Sequence, residues 1–148
     1  HLQGLHFTRE TAESIAINRV SGGAVIMAGA GMCTGGRIRH HLVNSLGRAD
    51  CSIVFVGFAA IGTLARRIID GAKEVHIYGR EVPVRARIRT INGFSAHADQ
   101  AELLAWHNSI GGDPQTFLVH GEVDVMNRFA SLLKGEVKMP ERNESFEL

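Results

Sequence analysis

Two histidines in this chain stand in settings that suit phosphate chemistry. The first lies in Gly93-Phe94-Ser95-Ala96-His97-Ala98-Asp99, between a strand-like run and a helix-like one. A hydroxyl from Ser95, the imidazole of His97 and unpaired backbone N–H groups then gather at a helix N-terminus, where the dipole and the free donors favour a phosphate. An imidazole there can touch a phosphate oxygen or protonate a leaving oxygen. An ordinary capped turn, with His97 merely hydrogen-bonded, is the plain alternative. The second is His120 in Val119-His120-Gly121-Glu122, at the C-terminal end of an apolar run. In open α/β sheets ligands gather at strand C-termini. His120 could reach a metal there, with Glu122 orienting the ring. A helix start with an exposed His120 accounts for the same residues.

A third candidate is Gly29-Ala30-Gly31-Met32-Cys33-Thr34-Gly35-Gly36. It follows an apolar run and opens a helix, as a phosphate-binding loop should, and Arg37 stands one turn in. The glycine spacing also resembles a dinucleotide fingerprint, but no acid ends the following strand, where Val56 is succeeded by Gly57 and Phe58. Tight packing of helix on sheet is the competing account. His40 and His41 are neighbours facing different directions and do not suit a shared metal. Cys33 beside Thr34 has no evident histidine partner to activate it. Arg85, Arg87 and Arg89 form one basic strand face, by default solvated.

The elements that must hold these groups follow from hydrophobic period. Thr8 can cap a first helix carrying Ala12, Ile15 and Ala16. Residues 24–28 (AVIMA) and 51–56 (CSIVFV) read as strands buried on both sides, and 75–78 (VHIY) as a third. Helices are expected over 36–46 and 62–70, the latter stopped by Gly71. This βαβαβ rhythm argues a parallel sheet with helices on its faces. Residues 82–91 then alternate apolar with Arg, a strand with one wet face. Asp99 caps a helix, with Glu102 at capping-box spacing and Leu103, Leu104 and Trp106 as its apolar anchors. Gly111, Gly112 and Pro114 turn the chain into a strand over 115–119. A last helix carries Met126, Phe129, Ala130 and Leu133, and residues 137–148 add a strand or a tail. The best division falls between 72 and 80.

Apolar residues at 45% demand a packed core, and a net charge of +1 excludes a strongly basic nucleic-acid module. RNA contact must then be local. Cys33 and Cys51 make no disulfide framework and suit a reducing cytoplasm. No run reaches the ~20 apolar residues needed to span a bilayer, so no membrane partner is expected.

Taken together, GMCTGGRIRHHL (31–42), VGFAAIGTLARRIIDG (56–71), INGFSAHADQAELLAW (91–106), FLVHGE (117–122) and the closing VKMPERNESFEL resemble the β-CASP branch of the metallo-β-lactamase superfamily. The resemblance covers nearly the whole chain, in the family's order. It implies an α/β fold: residues 1–74 as the end of a parallel-sheet β-CASP domain, and 75–148 as the C-terminal return of an αββα metallo-β-lactamase domain. It implies zinc-dependent hydrolysis of RNA phosphodiester bonds by a water bridging two zinc ions. His97 matches the motif B histidine at the scissile phosphate, and His120 the motif C histidine, a zinc ligand. Ser95, Gly31, Met32, Gly35 and Arg37 would contact substrate. Gly29-Ala30 stand where the family usually has Ser or Pro before Gly-Met, which removes one hydroxyl contact.

The family's H-x-H-x-D-H motif is not in these residues. A catalytic zinc takes about three protein ligands. The expectation is therefore a C-terminal fragment, consistent with its start at His1, that binds zinc weakly and is inactive alone. Its partners would be RNA and the N-terminal part of the same protein, with self-association into a homo-oligomer through uncovered apolar surface. A non-catalytic nucleotide- or RNA-binding module using the Gly29–Gly36 loop is the alternative.

Overall fold

The computed structural model describes residues 3–94 and 97–147. The chain forms two compact units, 1–95 and 96–148. The first holds helix α1 (Thr11–Ala16), a 3-10 turn (Ile17–Arg19), helix α2 (Ile38–Ser45), strand β1 (Ser52–Val56), helix α3 (Leu64–Ile69), strands β2 (Glu74–Ile77) and β3 (Arg80–Pro83), and strand β4 (Arg87–Ile91). The second holds helix α4 (Gln100–Ile110), strand β5 (Thr116–Phe117), helix α5 (Val123–Ala130) and strand β6 (Val137–Lys138). Among the described residues no helix is long and apolar enough to cross a membrane.

The fold is mixed α/β with parallel strands. β1 and β4 pair in parallel, Ser52 opposite Arg87 through Val56 opposite Ile91, and Gly57 N–H adds a bond to the Ile91 carbonyl at 2.9 Å. One face of this pair, with Ile53, Phe55 and Ile88, turns to the core; the other, with Val54 and Val56, is open. The core gathers Leu42 from α2 and Leu46 at its C-terminal cap, Ala65 and Ile68 from α3, and Val75 and Ile77 from β2, all at 1% exposure or less. These sets recur at helical or alternating spacing, which is why each element presents one apolar face. Thr63 starts α3 by accepting the Arg66 N–H at its hydroxyl, and Gly71 ends it at φ +91°.

Several expectations are corrected. Residues 24–28 form no strand. Val25 and Met27 are 88% and 79% exposed. Apolar propensity alone does not make a strand, and no neighbouring strand pairs with this one. The βαβαβ sheet reduces to the β1–β4 pair, because β2 turns back on β3 as an antiparallel hairpin. Its two-residue loop, Tyr78-Gly79, has φ of +53° and +71°, the primed-turn geometry that suits strand twist. Tyrosine is unusual there. It is held by stacking on His40 at 4.6 Å between centroids and by the Arg39 guanidinium 4.3 Å from its ring. The run 82–91 is consequently two strands rather than one, though its alternation survives: Val82 and Ala86 are buried and Arg85, Arg87 and Arg89 exposed.

Thr8 does not cap α1. Glu10 stands at that position, and the Glu13 carboxylate accepts the N–H groups of Arg9 and Glu10 at 2.7 and 3.1 Å. The Thr8 carbonyl instead accepts from Arg37 Nη1 at 3.0 Å. A further tie joins α1 to α2. Buried Ser14 Oγ lies 3.2 Å from His41 Nε2, and His41 Nδ1 lies 3.4 Å from Asn18 Oδ1.

The C-terminal unit is built differently. Asp99 Oδ1 accepts the Glu102 N–H and Glu102 Oε2 accepts the Asp99 N–H, each at 2.9 Å, which is the expected capping box. Leu103 and Trp106 are not anchors, at 41% and 67% exposed; buried His107 is, its Nε2 3.0 Å from Thr116 Oγ1 on β5. β5 and β6 pair in parallel over two residues each, extended by Leu118 N–H to the Lys138 carbonyl. So little ladder and two helices give too small a scaffold to bury an apolar core.

Two outcomes follow. Ile68→Ala should cost about 2–5 kcal/mol by denaturant melting, while Val25→Ala should change stability by less than ~0.5 kcal/mol. Burial, then the charges of His40 and Arg37, hold the His41 imidazole below its ordinary 6.5. The unfolded chain therefore binds the proton more readily, and the stability His41 contributes is present above that value and lost as pH falls below it. Melts at a series of pH values should show a shallower acid loss in His41→Gln than in the parent chain.

Candidate functional site

His97 and His120 both belong to the C-terminal unit; Gly31, Met32, Gly35 and Arg37 belong to the N-terminal one. Ser95 lies outside the described residues. His97 is exposed, two residues before the Asp99 cap of α4. The capping box already uses the N–H groups of Asp99 and Glu102, so the helix end has fewer donors left for an anion than the sequence suggests.

His120 follows β5 by three residues and is exposed at φ +63°. That left-handed conformation costs a branched or bulky residue about 1 kcal/mol or more and is kept only where its surroundings hold it. The next residue shows one such constraint. A Cβ at Gly121 would lie 2.7 Å from Met126 Cγ, so a side chain there would oblige Met126 to move. Glu122 is the N-cap residue of α5 and its carbonyl accepts the Met126 N–H at 2.9 Å. The strand end, the strained histidine and the helix start thus form one tightly specified corner that turns the imidazole of His120 outward to solvent.

The glycine-rich loop is a series of turns with Ala30, Cys33 and Gly36 all at positive φ. A Cβ at Gly29, Gly31 or Gly35 would meet nothing within 4 Å. Packing of helix on sheet therefore does not require these glycines, which leaves their bare backbone open to an approaching ligand. Met32 is committed elsewhere. Its Sδ accepts the Ala60 N–H at 3.2 Å and its carbonyl the Ala65 N–H at 3.2 Å, which fastens the loop to the start of α3. Arg37 spends one N–H on the Thr8 carbonyl and keeps other donors of its fork. Burial pushes the Cys33 thiol up, away from the nucleophilic thiolate.

One constellation was not visible in the sequence: Ser14, His41 and Asn18, a hydroxyl, an imidazole and an amide in line. Ser14 and His41 are only 6% and 7% exposed, so the group works as a strut between α1 and α2 rather than as a nucleophile. It depends on tertiary placement that no local period encodes. Among the described residues, no three His, Cys, Asp or Glu side chains gather to hold a metal ion.

Comparison with known proteins adds the family. Residues 1–68 match the Beta-Casp domain, and residues 81–143 the Zn-dependent metallo-hydrolase RNA specificity domain. Ribonuclease TTHA0252 of Thermus thermophilus is 44% identical over 130 residues, 88% of this chain and 30% of the relative. Transcription termination factor FttA of Methanococcus maripaludis is 34% identical over 134 residues, 84% of this chain and 21% of the relative. An RNase J-like protein of Methanocaldococcus jannaschii is 28% identical over 132 residues, 89% of this chain and 30% of the relative. The chain therefore spans less than a third of the length of these relatives. With a Beta-Casp domain and an RNA specificity domain following one another along it, the chain belongs to the β-CASP family of metallo-β-lactamase nucleases.

Proposed function

We propose that this chain is the C-terminal part of a zinc-dependent ribonuclease, contributing His97 and His120 to a phosphodiester-hydrolysing site that further residues of the same protein complete. The observation that carries the reading is the corner at His120: an exposed imidazole on a strained backbone at the end of β5, in a domain whose family is named for zinc-dependent hydrolysis and RNA specificity. In this reading His97 works at the scissile phosphate, His120 is a metal ligand, and Glu122 steadies it. Ser95, Gly31, Met32, Gly35 and Arg37 face RNA, Met32 through whatever surface its packing leaves. The division between the two domains falls at 74/75, and the second continues an αββα metallo-β-lactamase fold. The site belongs in a reducing cytoplasm, in keeping with two free cysteines.

Zinc would supply a charged centre for the reaction, but one histidine is too few donors to hold it. The C-terminal unit also leaves Trp106, Val119 and Val123 each about two-thirds exposed, surface that suits cover by the rest of the protein or by a second copy. The alternative, a non-catalytic nucleotide- or RNA-binding module, draws support from the open space around Gly31 and Gly35. Protection of that loop by added nucleotide, with no gain of cleavage on complementation, would favour it.

The purified chain with zinc and labelled RNA should cleave nothing. A complementing polypeptide bearing H-x-H-x-D-H should restore chelator-sensitive cleavage. Efficient cleavage by the chain alone would contradict the reading. In the restored enzyme His97→Ala should lower kcat by roughly 100-fold or more, as expected when a group that transfers a proton or grips the phosphate is removed. Gly121→Ala should weaken zinc retention through the displaced corner, measured by metal content after gel filtration.

A further inference from the structure

We propose that the open face of the β1–β4 pair is a binding surface for single-stranded RNA, with Arg87 and Arg89 holding backbone phosphates and Phe58 and Phe94 offering their rings to bases. The inference rests on the ribonuclease reading for the identity of the nucleic acid, and on the strand register for the surface.

Parallel pairing puts Arg87 beside Ser52 and Arg89 beside Val54 on one face. The side chains of the intervening positions, Ile53 and Ile88, turn to the core. The two arginines therefore stand in a row, about 6.6 Å apart along the strand, a spacing that neighbouring phosphates of an extended chain can match. Both are exposed. Among the described residues neither pairs with a carboxylate; the ion pairs present are Arg48–Asp50, Arg66–Asp70 and Lys138–Glu136. Two exposed cations on one strand face, neither of them in an ion pair among the described residues, favour an anionic occupant. A net charge of +1 on the chain leaves just such a local patch as its means of holding RNA.

The same face is apolar toward its other end. Val54 and Val56 are 48% and 57% exposed, and past the strand C-termini Phe58 and Phe94 are 64% and 76% exposed. Ligands of open parallel sheets gather at that end. Aromatic rings combined with a basic track hold single strands without regard to sequence, since every base has a face to stack, and that part is proposed for Phe58 and Phe94. In sequence, β4 leads through Phe94 to His97, so the tracking residues and the proposed cleavage residue share one short stretch of chain.

The test is fluorescence anisotropy of a short fluorescein-labelled oligouridylate with the purified chain, at several salt concentrations. Arg87→Ala with Arg89→Ala should weaken binding roughly tenfold or more and reduce the salt slope by about 0.7 for each phosphate no longer held. Arg87→Lys with Arg89→Lys should keep the slope. Phe58→Ala with Phe94→Ala should weaken binding and leave the slope unchanged. Denaturant melts check that each variant is folded, and the lysine pair keeps the test sound if the alanine pair is not. A parent chain that does not bind RNA overturns this surface, while the ribonuclease reading stands or falls separately on the restoration of cleavage by complementation. A parent chain that binds while the alanine pair matches it in affinity and slope overturns this surface alone. Loss of an oligomer on gel filtration with RNA affinity intact also overturns it, and assigns the face to a second copy.

Discussion

The parallel ladder between Ser52–Val56 and Arg87–Ile91 is the constraint on which the N-terminal unit depends. It joins segments 35 positions apart, and everything between them must fold as a crossover that returns to the same end of the sheet. α3 and the β2–β3 hairpin fill that crossover and contribute Ala65, Ile68, Val75 and Ile77 to the core beneath β1. Because the pairing leaves strand C-termini side by side, the loops that follow, Gly57 onward and Asn92 onward, emerge together at the end where α/β proteins do their chemistry.

The C-terminal unit shows the opposite economy. Its specificity lies in corners: the Asp99–Glu102 capping box before α4, and the His120–Gly121 turn before α5. Hardly any apolar surface is buried there, and α4 is fixed to β5 through a histidine rather than through its leucines or tryptophan. The unit's local geometry is sharp while its apolar faces stay open. That fits a domain whose relatives extend well beyond the matched region.

Much of this was legible in the residues. The α2 and α3 helices, β1, and the Asp99 cap were expected within a residue or two, because apolar period and capping chemistry are local signals. The alternation of Arg85, Arg87 and Arg89 with apolar neighbours held as well. Local signals failed where pairing decides structure. Residues 24–28 have strand composition and no strand to join. Tyr78 closes a hairpin although nothing in its type suggests a left-handed turn; the cradle of Arg39 and His40, far away in sequence, supplies the reason. The buried Ser14–His41–Asn18 strut was hidden for the same cause. At the candidate site, the motifs SAHAD and VHGE could be read directly, whereas the strain at His120 and the close approach of Met126 to Gly121 arise only in the folded chain.

In the proposed function, the imidazoles of His97 and His120 meet at one metal centre in the completed protein. Histidine-selective NMR after cobalt is loaded in place of zinc, on the chain bound to its complementing part, addresses it directly. Large paramagnetic shifts are expected for the His120 ring and strong paramagnetic relaxation for the His97 ring, with His107 much less affected. A His120 resonance that stays in the diamagnetic range when cobalt is bound would contradict it.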